Sequence, residues 1–201
     1  MVEMKVWFAR SFYIVAIYWW CLWSRVYRAL FQRKYRQTLF LDCHLTAVDA
    51  CKKMRLLAWT RDGGRELWDS VGDPGWVQHV INRVENGCGQ PVGALDCDDF
   101  SVWASNVLSD KYDSVIWVFS WMNDGELSGH AMCWCSGSEG KYFHIGNWGM
   151  SREYSSLREA CEHILSRYSN ASPIGWSLLT KNLWPIAWGV GLPDRGVGNG
   201  S

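Results

Sequence analysis

The chain has 201 residues, of which 48% are hydrophobic, with 20 Lys+Arg set against 20 Asp+Glu and eight cysteines. That length supports one core of ordinary domain size with room for an extra N-terminal element. Zero net charge supplies no basic field for nucleic acid, and cysteines set within helix- and strand-like patterns point to free thiols in a reducing compartment, not to a disulfide framework.

Residues 1–40 read as an N-terminal hydrophobic and basic helical segment. Phe12 to Trp23 is free of charge, and Arg25, Arg28, Arg33, Lys34 and Arg36 follow it. Twelve residues are short for a bilayer span, which needs ~20, so a span would require Arg10 to snorkel. The other membrane reading is an interfacial helix, with Trp7, Tyr13, Tyr18, Trp19, Trp20 and Trp23 forming an aromatic belt. Membrane contact would then run through residues 6–36, and the basic cluster would keep the following domain in the cytoplasm. An aromatic-rich helix packed on the domain is the alternative. No small-x-small cleavage site follows Trp23, which argues against a cleaved signal peptide.

Residues 41–190 read as one folded domain. A helix is predicted over 43–60, with Leu45, Val48, Met54, Leu56 and Leu57 as apolar contacts, ending at Asp62-Gly63-Gly64. Asp73 caps a second helix with Pro74 in its first turn and Gly87 past its end. Asp96 caps a third, with Asp99 as its capping-box partner, and Phe100, Trp103, Ala104, Val107 and Leu108 recur at helical spacing. Cys97 therefore sits in a first helical turn, where unpaired amides favour a thiolate. Asp98 and Asp99 oppose that shift, and an ordinary core cysteine is the plainer reading of Cys97 taken alone.

A β-rich stretch from Asp113 to Met122 leads into a turn at Asn123-Asp124-Gly125, a strand over Gly129–Ser136, a turn at 137–140 and a strand over Lys141–Asn147. This arrangement brings His130 and Asn147 to the same end of a hairpin. Cys133 and Cys135 share one strand face, opposite His130, and with Cys88, Cys97 and His144 they raise the question of zinc. No Cys-x-x-Cys or His-x-x-x-His spacing supports a metal, so none is expected, nor any other cofactor. His44, His79 and His163 fall in helical segments and read as structural or surface residues. Ser156 and Glu159 form a capping box for a helix to about Tyr168, residues 174–190 make one or two final strands with Pro185 confining the second to an edge, and Gly-rich 191–201 reads as a flexible tail.

Thiol, imidazole and amide in this chain order are the groups of a cysteine nucleophile. Asp-Cys-Asp-Asp-Phe opening a helix, Gly-His-Ala opening a strand and Asn-Trp-Gly closing the next one resemble the bacterial and phage transglutaminase-like cysteine proteinases of the papain-like superfamily, over roughly Asp73 to Gly149. The resemblance implies an α+β fold in which a helical part packs on an antiparallel sheet. It also implies Cys97 as nucleophile, His130 as general base and acid, and Asn147 as the orienting residue. Asn at the third position followed by Trp-Gly is similar to papain-type enzymes, whereas many transglutaminase-like members carry Asp. The backbone N–H of Cys97 and the side-chain amide of Gln90 are the candidate oxyanion donors, and Trp148 would shield the His130–Asn147 pair from water.

The implied activity is hydrolysis of a peptide or isopeptide amide through a thioester. The substrate would be a peptide or protein, with a peptidoglycan cross-peptide among the candidates, and no nucleic acid is expected. The rival expectation is a non-catalytic binding or membrane-associated module that keeps the fold.

Overall fold

Asn123 and Glu126 face each other across a two-residue loop in which Asp124 and Gly125 both take positive φ, 50° and 84°. Such a turn matches the right-handed twist of the strands it joins, and Asp-Gly is among the few pairs that adopt it readily. It fixes the register of β1 (Ser114–Asn123) against β2 (Glu126–Ser136), the centre of a computed structural model that describes residues 2–32, 41–59, 71–90 and 95–194. β3 (Tyr142–Gly146) and β4 (Gly149–Met150) extend the sheet on one side, and β5 (Ala171–Leu179) and β6 (Pro185–Val190) on the other. The result is a six-stranded antiparallel sheet in the order β4-β3-β2-β1-β5-β6, with Pro185 on the edge strand as expected. The molecule is thus α+β.

Side-chain alternation sends the two faces of this sheet to different partners. Ile116 on β1, Cys133 and Cys135 on β2, and Phe143 and Ile145 on β3 pack under α2 (Ala47–Met54), α3 (Pro74–Glu85), α4 (Cys97–Val107) and the N-terminal α1 (Val2–Phe31). Trp117, Phe119, Met132, Trp134 and Trp176 face the other way and are covered by α5 (Leu157–Leu165) through Leu157, Ala160, Cys161 and Ile164.

The helix starts agree closely with their capping residues. Asp73 accepts from the Gly75 N–H at 3.0 Å with Pro74 opening α3, and Asp96 accepts from the Asp98 and Asp99 N–H groups. Two of the expected capping boxes are wired differently. Asp99 accepts from the Gly72 N–H and so holds the preceding segment, while Glu159 accepts from Ser155 and leaves Ser156 alone to cap α5. The helix predicted over 43–60 is shorter, running from Ala47 behind a Thr46–Asp49 capping box, because that box satisfies the first amides only from Thr46 onward. Val48 and Leu56 are exposed, and His44 lies in a turn before the helix. The predicted stop at 62–64 and the tail from 195 onward lie outside the described residues.

α1 belongs to this core. Tyr13, Ile17 and Cys21 are buried against Val102, Ile174 and Leu179, and Arg10, which a span would have required to snorkel, donates to the Pro173 carbonyl at 2.7 and 3.0 Å. Ser24 accepts from the Val71 N–H and the Nε of Arg28 donates to the Val71 carbonyl, so both polar side chains on the packed face bond to one backbone residue. Among the described residues, no helix is long and apolar enough to cross a membrane.

Candidate active site

The first turn of α4 carries an unusual density of buried charge. Asp96, Asp98 and Asp99 are all buried, and their carboxylates approach within 4.8 Å of one another. Each has a local reason to be there. Asp96 caps the helix, Asp98 accepts from the Asp99 N–H at 2.9 Å, and Asp99 anchors Gly72. A Cβ on Gly72 would sit 2.6 Å from that Asp99 oxygen, so glycine is needed for the approach. The acids expected to be plain caps are therefore one buried carboxylate cluster, drawn inward by a loop contact that local spacing did not disclose. Cys97 lies among them, half-buried and free of disulfide, at the first position of the helix.

His130 is the fifth residue of β2 and is 5% exposed. Burial pushes its imidazole down to about 4, so the ring is neutral near pH 7 and able to accept a proton. The Nε2 atom is buried and makes no hydrogen bond among the described residues. A Cβ on Gly146 would lie 3.0 Å from that nitrogen, which places the end of β3 directly against the ring.

Beyond Gly146 the chain turns back at once. Gly146 pairs with Gly149, leaving Asn147 and Trp148 as the two loop residues, so Asn147 sits in a tight turn instead of closing a strand. The Asn147 Oδ1 is also buried and makes no hydrogen bond. Trp148 folds over the imidazole of His130 with ring centroids 4.2 Å apart and planes 22° apart. Imidazole, amide and indole thus collect where β3 ends against the middle of β2.

His144 adds a second buried imidazole on this face. It stacks on Tyr154 at 5.8 Å and meets the edge of Trp117 at 5.6 Å. Burial, followed by the positive influence of His130, pushes it down to about 3. Strand alternation gives the signal for this pairing, since Trp134 faces His144 across the β2–β3 ladder and shares a face with His130.

Two expected contributions are not where the sequence suggested. Gln90 is committed to structure: its Oε1 accepts from the Ala58 N–H at 2.7 Å and its Nε2 donates to the Ala58 carbonyl at 3.0 Å. The amide that was to face an oxyanion instead clamps the segment after α2, because a primary amide can pair with both the N–H and the C=O of one residue. The faces of the sheet also separate the main players. His130 shares its face with Phe119, Met132 and Trp134, whereas α4 packs over Cys133, Cys135, Phe143 and Ile145. Cys133 and Cys135 have their sulfurs 3.5 Å apart in that interior, away from His130 and from the exposed Cys88.

Scans against protein-family models and curated proteins find no match to this chain.

Proposed function

We propose that this chain is a thiol-dependent hydrolase of the papain-like, transglutaminase-like kind, cleaving a peptide or isopeptide amide through Cys97, His130 and Asn147. The observation that carries the reading is the pair of buried, complementary and unsatisfied atoms at the end of β3, His130 Nε2 and Asn147 Oδ1. Orphaned buried groups cost about 1–3 kcal/mol each, and a donor and an acceptor left open in one cluster fit a bond made when the imidazole becomes charged.

Cys97 would reach His130 around an edge. β2 pairs with β3 only from Cys133 onward, so beside His130 the edge of β2 has no ladder partner on that side, with Gly146 and Trp148 against the ring. Ser114 Oγ donates to the Ser105 carbonyl at 3.0 Å, linking the later part of α4 to the β1 residue that pairs with Cys135.

His130 Nδ1 would take the thiol proton, Nε2–H would donate to Asn147 Oδ1, and the thiolate would attack the amide carbonyl. The leaving amine would receive the proton from His130, and water would release the thioester. The N–H of Cys97 supports the oxyanion, since the first-turn amides of a helix lack intrahelical partners.

A non-catalytic binding module is the second reading, favoured by the placement of His130 on the face opposite α4. Labelling with an electrophilic amide-mimic probe, followed by peptide mapping, separates the two. The hydrolase reading expects modification at Cys97, loss of it in His130→Ala, and a labelling pH profile displaced to higher pH in Asn147→Asp, whose carboxylate stabilises the imidazolium. Labelling of Cys97 that is unchanged in His130→Ala would sink the catalytic assignment.

A further inference from the structure

The packed face of α1 accounts for only half of its apolar residues. Phe8, Phe12, Val15, Trp19, Leu22 and Val26 are exposed and spaced 4, 3, 4, 3 and 4 apart, which lines them up as a second stripe opposite buried Tyr13, Ile17 and Cys21. Phe12 is 62% exposed, Val15 66% and Trp19 48%. From Phe8 to Val26 the stripe runs about 27 Å along a helix of 30 residues.

The edge strand adds to the same side of the molecule. Ser177, whose hydroxyl meets the Tyr13 hydroxyl at 3.2 Å, faces α1 and pairs with Trp188. Trp188 and Val190 therefore alternate onto the α1 side, and both are exposed. Arg25 lies over the ring of exposed Trp184, its guanidinium carbon 3.6 Å from the centroid, joining helix and strand at one end. Both sets of exposed apolar side chains thus lie on the α1 side of the sheet, more than the isolated exposed residues of an ordinary monomer surface.

Charge selects the occupant. From Met4 to Leu41 the sequence contains seven basic residues and no acidic one, within a chain whose overall charge is zero. Exposed Lys5 and half-buried Arg25 flank this side, whereas Arg10 and Arg28 turn to the domain, and no acidic residue follows Glu3 on the helix. Aromatic and aliphatic side chains with this sign of charge match the boundary of an anionic bilayer, where indoles sit at headgroup depth and Lys and Arg meet the phosphates. We infer that the outer face of α1 and the adjoining face of β6 form a monotopic docking surface for anionic phospholipid membranes, with α1 lying in the plane of the interface. The inner face of α1 stays on the domain, so docking leaves the core intact.

The test uses the full chain in flotation with vesicles of phosphatidylcholine containing phosphatidylglycerol, and with phosphatidylcholine alone. Binding is expected to the anionic vesicles and to weaken as salt rises. Phe12→Ser/Trp19→Ser should weaken it by at least about tenfold while circular dichroism stays unchanged, since both side chains project away from the core. Trp59→Ser, which removes an exposed tryptophan elsewhere, should bind as the parent does. Equal binding to neutral vesicles, unchanged binding of the double variant, or a concentration-dependent dimer that ignores vesicles would each overturn the proposal. The dimer would assign the stripe to a second copy of the chain.

Discussion

The indole of Trp148 covers the imidazole of His130 at 4.2 Å, although Trp148 itself is 58% exposed. One face of the indole meets solvent while the other keeps water from the ring beneath it. This is how a histidine near the open edge of β2 comes to be buried and held neutral.

Removing that cover should therefore rehydrate His130. In Trp148→Ala its pKa is expected to rise from about 4 toward the ordinary 6.5, followed by NMR titration of the ring protons. A pKa that stays near 4 would mean that the desolvation comes from the sheet interior instead.

Two neutral buried imidazoles also make stability depend on acid. Below pH 6.5 the unfolded chain binds protons that the folded chain refuses until about 4 at His130 and about 3 at His144. Stability from this source is complete above the unfolded value and is lost as pH falls below it, at up to about 1.4 kcal/mol per pH unit for each imidazole. His144→Phe fits the aromatic surroundings and removes a buried Nδ1 without a hydrogen bond. Urea unfolding at stepped pH should show its slope reduced by about one proton relative to the parent.

Gln90 offers a contrast between structural and catalytic use of an amide. Gln90→Ala breaks both bonds to Ala58, each partly exposed to water, and should cost about 1 kcal/mol in urea unfolding. The rate of Cys97 labelling should not change. A loss of labelling without loss of stability would return Gln90 to the oxyanion site.

The docking of α1 rests on a close approach at Gly175. A Cβ there would come within 2.5–2.8 Å of three atoms of the buried Tyr13 ring, which is pinned through its hydroxyl to Ser177. Gly175→Ala should destabilise the fold by about 1–3 kcal/mol, and Tyr13→Leu should recover part of that loss in a double-mutant cycle. Independent, additive effects would show that α1 moves freely over β5.

Much of the local structure was legible along the chain because its causes are local. Asp73-Pro74, Asp96 and Ser156 announce helix starts by bonding amides two or three residues away, and Asp124-Gly125 announces a hairpin by its tolerance of positive φ. Strand alternation likewise put Cys133 and Cys135 on one face and His130 on the other. The hairpin pattern was enough to bring Gly146 against the His130 ring, although β2 begins at Glu126 and so sets His130 in mid-strand and not at the strand's entry.

Which apolar stripe of α1 would be covered, and whether Asp99 and Gln90 would serve the site or the scaffold, was decided by segments far away in sequence. Gly175 leaves room for Tyr13, Gly72 for Asp99, and the Ala58 peptide claims Gln90. Both stripes of α1 are apolar with helical spacing, so hydrophobic pattern alone does not distinguish them. Sequence by itself determined the elements and the chemical groups, because capping, turn preference and alternation act over a few residues. Tertiary structure decided which groups meet, because burial and hydrogen bonding between distant segments depend on the one packing that satisfies them all.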